Sequence, residues 1–118
     1  MATKREVPFL DYRLTNQVHF DEYLAAARRV LESGWYVLGK EVESFEQEYA
    51  AWCGSSFCVG VANGLEALIL ILEGYKALGV MKDGDEVIVP ANTYIASILA
   101  VSRAGLTPVP VEPDAHTL

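Results

Sequence analysis

No apolar run in this 118-residue chain is long enough to cross a bilayer; the longest, Ala67–Leu72, falls far short of the roughly 20 residues a membrane helix needs. The opening "MATKREVPFL" has basic residues but no apolar stretch behind them, so no secretory leader is read, and a cytoplasmic protein is expected. Cysteine and histidine are scarce. Cys53 and Cys58 form a single C-x4-C pair, and only His19 and His116 could join them, which leaves a zinc site short of ligands; no metal is expected, and the thiols read as reduced and partly buried. Positive charge is also in deficit: 9 Lys and Arg stand against 16 Asp and Glu, net charge -7, which argues against nucleic acid or an anionic membrane as partner. An anionic ligand must therefore be held locally.

Apolar content is ample. At 52% hydrophobic residues the chain has the composition of one ordinary globular core, without repeats, charge blocks or low-complexity linkers. After an extended opening, "VPFLDYRL", apolar residues recur at Phe20, Tyr23, Leu24, Ala27, Val30 and Leu31, the spacing of an amphipathic helix that stops at Gly34. "GWYVLG" is a short aromatic connector, in which Trp35 and Tyr36 either anchor helices or line a pocket. Val42, Phe45, Tyr49 and Trp52 then mark a second helix, ending at Gly54.

From Phe57 the pattern changes. "FCVGVA" reads as a strand covered on both faces, "GLEALILIL" as a helix buried all round, "DEVIVPA" as a second buried strand, "NTYIASILAVSRAG" as a helix capped by Asn92 or Thr93, and "LTPVPVE" as a third strand. Strand, helix, strand, helix, strand in that order predicts a parallel α/β sheet. The chain stops at "VEPDAHTL", just after a buried strand, and an incomplete domain is expected: a helical segment over 1–56 and a βαβαβ portion over 57–118.

Ligands of open α/β sheets gather outside the carboxyl ends of the strands. At the first such end, "VANGLEA", Asn63 can cap a helix, Gly64 lets an oxygen approach the backbone, and the N–H groups of Gly64, Leu65 and Glu66 are free to bind an anion such as phosphate. The same residues also suit a plain strand-to-helix turn. A dinucleotide fits less well, because "GVANGLEA" lacks the G-x-G-x-x-G spacing. At the second end Tyr94, in the first turn of its helix, offers either a core aromatic or a plate for a flat ring.

Four stretches in register, "GWYVLGKEVESFEQEYAAWCG", "VGVANGLEALILIL", "GDEVIVPANTYIAS" and "AGLTPVPVEPD", resemble the N-terminal third of the DegT/DnrJ/StrS family of sugar aminotransferases. The resemblance covers nearly all of the chain from Pro8 onward. It implies the N-terminal part of the large domain of a fold-type-I enzyme, a homodimer using pyridoxal 5'-phosphate, with a phosphate cup at Gly64, Leu65 and Glu66 and a ring-stacking aromatic at Tyr94. Many members have Gly-Thr where this chain has Gly64-Leu65, so one hydroxyl is missing. The implied reaction moves nitrogen from glutamate or glutamine to a nucleotide-linked ketosugar, with carbon 3 of a dTDP-3-keto-6-deoxyhexose as the substrate position. A dehydratase of the same family using pyridoxamine or pyridoxal phosphate, and a non-catalytic regulatory or interaction domain, are the alternatives. The family's Schiff-base lysine is expected beyond Leu118, so no catalytic residue is assigned here. Lys4, Lys40, Lys76 and Lys82 all read as surface lysines away from Gly64 and Tyr94.

Overall fold

Asp11 and Asn63 start two of the helices with a side-chain cap, and Gly34 and Gly54 end two others. The computed structural model describes residues 7–116, so Lys4 and Leu118 lie outside the described residues. The chain divides into two units, Met1–Cys58 and Val59–Leu118.

The first unit is helical: α1 (Tyr12–Gln17), α2 (Phe20–Ser33) and α3 (Lys40–Cys53). Where an extended opening was expected, α1 begins, because the Asp11 carboxylate accepts the Arg13 N–H at 3.0 Å and caps the turn. Gly34 and Gly54 end α2 and α3 in the left-handed region, at φ +66° and +69°. Arg29 on α2 grips Glu41 on α3 through two hydrogen bonds of 2.9 Å each. In the connector, Trp35 Nε1 donates to the Val37 carbonyl at 2.6 Å, and its ring stands where a Cβ on Gly39 would come within 3.0 Å. Trp35 thus braces the connector, and with Tyr36 and Arg29 it lines a hollow of about 280 Å³. Cys58 is half-buried, but Cys53 is exposed.

The second unit contains α4 (Gly64–Ala77), β1 (Glu86–Pro90), α5 (Ile95–Arg103) and β2 (Thr107–Val111). The strands pair in parallel, Glu86 opposite Thr107 through Pro90 opposite Val111. Thr107 donates to the Asp85 carbonyl and Val111 accepts from Ala91, so Thr107, Val109 and Val111 face β1 while Pro108 and Pro110 turn their nitrogens outward. Helix α5 packs on both strands and α4 packs on α5. Their shared core is small: Val89, Val101, Ala104 and Leu106, with Leu72, Met81, Val87 and Ile98 against it.

Three expectations are corrected here. Residues 57–62 form no strand, because the sheet of the described residues has only β1 and β2 and gives that stretch no ladder. Helix α4 is not buried all round: none of its residues is fully buried, and Leu68, Leu70 and Ile71 face solvent, since only the α5 side of the helix is covered. On β1 one face is covered and the other open, Val89 being 6% and Ile88 72% exposed.

Gly105, at φ +72°, has Asp83 Oδ1 only 3.2 Å from where a Cβ would stand. Gly105→Ala should therefore destabilise the protein by roughly 1–2 kcal/mol, read from urea denaturation. In the first unit, hydrogen bonds from Arg29 hold the Glu41 carboxyl below the ordinary carboxylate range. A depressed acid stabilises fully above its unfolded value and loses that contribution as pH falls through the folded one. Far-UV circular dichroism should show helix loss on acidification through and below the carboxylate range, part of it abolished in Glu41→Gln.

Candidate functional site

Asn63, in extended conformation, closes the first turn of α4: its Oδ1 accepts the Glu66 N–H at 3.0 Å and its carbonyl accepts the Ala67 N–H at 3.1 Å. The amides of Gly64 and Leu65 precede these bonds and donate to no described residue. A Cβ on Gly64 would meet nothing within 4 Å, so no packing neighbour demands glycine there. The space is open to a ligand.

Helix α5 starts in a related way. Thr93 N–H donates to the Pro90 carbonyl at 3.1 Å to make the turn after β1, and Tyr94 follows as the extended N-cap residue. Tyr94 is therefore not in the first turn, and neither Asn92 nor Thr93 is the cap residue. The Thr93 and Ser97 hydroxyls meet at 3.0 Å and pin this turn. The Tyr94 side chain is 79% exposed, which removes it from the core of the described residues.

Gly64, Leu65 and Tyr94 line one groove of about 840 Å³, together with Asn63, Ser97 and apolar side chains of both helices. Glu66 does not join them: its N–H is committed to Asn63, and its side chain is not in the lining. The expected cup of three amides is thus one of two, at the positive pole of α4, with the N-terminus of α5 beside it. A flat aromatic ligand carrying an anionic group suits this arrangement, the amides taking the anion and the ligand's ring lying against the Tyr94 phenol ring.

The other ends of the same two helices are tied together. Lys76, in the last turn of α4, donates to the Ala104 carbonyl at 2.9 Å, pairs with Asp83 at 2.6 Å and approaches Glu73 at 3.4 Å. Ala104 is the C-cap residue of α5. The hydrogen bond to Asp83 holds the Lys76 ammonium above its ordinary range, against the opposing effect of partial burial. Such an amine stays charged and is no nucleophile. Sequence reasoning placed Lys76 on the solvated surface; only the Glu73 spacing of i,i+3 hinted at a partner.

Residues 18–118 match the DegT/DnrJ/EryC1/StrS aminotransferase family. The chain is 58% identical over 111 residues to the dTDP-3-amino-3,6-dideoxy-alpha-D-galactopyranose transaminase of Aneurinibacillus thermoaerophilus, which covers 94% of this chain and 30% of that protein. Among solved structures it is similar to S. venezuelae DesV in complex with a ketimine intermediate, with a TM-score of 0.84 and 53% identity over 94% of this chain and 29% of the other. It is also similar to the E. coli GDP-4-keto-6-deoxy-D-mannose-3-dehydratase with bound hydrated PLP, with a TM-score of 0.73 and 30% identity over 80% of this chain and 25% of that one. The chain spans about 30% of the length of the curated relatives it matches.

Asn63→Ala should release the Glu66 amide and cost about 1 kcal/mol of stability, while Asn63→Asp keeps the cap. Chemical denaturation of both variants checks this; equal stability of wild type and Asn63→Ala would show the cap to be idle.

Proposed function

Because the chain belongs to the DegT/DnrJ/EryC1/StrS aminotransferase family, we propose that it forms one wall of the pyridoxal 5'-phosphate site of a nucleotide-sugar aminotransferase, as the N-terminal part of a fold-type-I large domain. The carrying observation is the single groove that places two unengaged amides at the start of α4 beside the open ring of Tyr94. These residues fit the cofactor. The Gly64 and Leu65 N–H groups would hold its phosphate, helped by the α4 dipole and needing no side-chain hydroxyl at position 65. The Tyr94 ring would lie along the cofactor ring, fix its plane and keep water from that face. When bound, the cofactor supplies the electron sink that lets nitrogen pass from an amino acid to a ketone. The chain's own residues bind and orient, and none of the lysines at Lys40, Lys76 or Lys82 lines the groove.

The substrate we assign is a dTDP-linked 3-keto-6-deoxyhexose aminated at carbon 3, with glutamate or glutamine as donor; the 58% identical relative, named for a dTDP-3-amino-3,6-dideoxyhexose, supports it. A cytoplasmic homodimer completes the assignment. No helix among the described residues is long and apolar enough to cross a membrane. The exposed apolar faces of α4 and β1 favour further protein cover. The similarity to the dehydratase supports a second reading, in which the same groove serves removal of a sugar hydroxyl.

The intact protein incubated with pyridoxal phosphate should acquire a visible absorption band that bleaches with glutamate or glutamine and returns with the ketosugar nucleotide; absence of any band would overturn the assignment, and return of the band without amination of the sugar would favour the dehydratase. Tyr94→Ala should raise the cofactor's Kd roughly tenfold, the worth of one aromatic contact, while Tyr94→Phe stays within about twofold. Equal losses in both would assign the phenol hydroxyl instead of the ring.

A further inference from the structure

Helices α4 and α5 both begin at the groove, and the last turn of α4 is bonded to the C-cap residue of α5. They therefore run side by side in the same direction, which sets two positive poles together at the groove and two negative poles together at the other end. Parallel dipoles at close range repel, and a cation between the C-termini relieves that repulsion. Lys76 is there.

Its setting is specific. The side chain is only 22% exposed, and its ammonium has an acceptor on each of three segments: Glu73 on α4, Asp83 in the turn before β1, and the Ala104 carbonyl closing α5. Backbone bonds lock the second and third of these to one another, since Gly84 N–H donates to the Gly105 carbonyl at 2.9 Å. Ala104 itself belongs to the buried cluster that seats α5 on the sheet. The 14 residues of α4 outrun the 9 of α5 by five residues, roughly 7.5 Å at 1.5 Å per residue. Side chains in a helix lean toward its N-terminus, so Lys76 reaches back over that overhang to the end of α5.

We propose that Lys76 is a positioning residue that sets how far α4 is advanced along α5, and through it the spacing between the Gly64–Leu65 amides and the Tyr94 ring. The two rows of groove residues sit on different helices, so a slide of one helix moves the anion cup away from the aromatic plate by the same distance. Where packed helices do move past one another in switching proteins, shifts of about 1–2 Å are the usual scale. Such a slide would leave each helix intact.

The assignment rests on the cofactor reading of the groove, and the test separates the two. Lys76→Met, Lys76→Arg and Asp83→Asn are made in the intact protein. Cofactor Kd is taken by equilibrium dialysis, the visible circular dichroism of bound cofactor is recorded, and cofactor-free crystal structures of wild type and variants are compared. Lys76→Met should displace α5 along α4 by about 1 Å, raise Kd roughly tenfold and change the dichroism per bound cofactor, with Lys76→Arg restoring Kd to within about threefold. A Lys76→Met protein that melts earlier but keeps the helix offset, the Kd and the dichroism would reduce Lys76 to a stabilising contact and overturn the proposal. If wild type binds no pyridoxal phosphate, the cofactor reading falls, and the helix offset in the cofactor-free crystals decides the role of Lys76 alone. Should Lys76→Met not fold, Asp83→Asn is read in the same way: a displaced α5 with weaker binding supports the assignment, and an unmoved α5 with unchanged binding overturns it.

Discussion

Two helices that start side by side turn their backbone N–H groups toward one end and their carbonyls toward the other, and this co-alignment governs the second unit. At the groove the Gly64 and Leu65 amides are left without a partner among the described residues; at the opposite end the Lys76 ammonium takes the Ala104 carbonyl, while backbone N–H groups take its neighbours. Small residues allow the approach. Ala100 and Ala104 are each 1% exposed and carry the contact of α5 with its surroundings, where larger side chains would hold the helix off the sheet.

The geometry of the groove thus depends on hydrogen bonds made within its own wall. Asn63 decides which amides are free by taking one for itself, and Thr93 with Ser97 fixes the turn from which Tyr94 projects. In the first unit the same economy appears in the connector, where Trp35 bonds its own backbone and Leu38 is held at φ +49°, a conformation a side chain rarely adopts.

Local signals were legible in the sequence wherever one residue decides the matter. Gly34 and Gly54 stop their helices, Asn63 starts α4, and the polar turn before Glu86 and the glycine after Ala104 each precede a strand where one was expected. What stayed hidden depends on partners distant in sequence. A run such as "FCVGVA" announces that it suits a strand but not that a neighbour will pair with it, and "ALILIL" announces apolar faces but not which are covered. The N-cap position of Tyr94 was obscured because Asn92 and Thr93 are better capping residues, yet the turn after Pro90 uses them up. Gly64, Leu65 and Tyr94 could be picked out singly; that they share one groove while Glu66 does not, and that Lys76 joins two helix ends across 28 positions of chain, are facts of packing alone.

The outward prolines of β2 make the sheet polar in how it can be extended. At Pro108 and Pro110, two successive outward positions, β2 has no hydrogen to offer, so a strand laid along that margin would form a ladder with every second rung missing. On the far margin of β1, Glu86 and Ile88 keep their amides, and the Ile88 side chain is already uncovered. The far margin of β1 thus offers two donors, with Pro90 the one gap, where that of β2 offers none: one margin is a growth front and the other a selvedge.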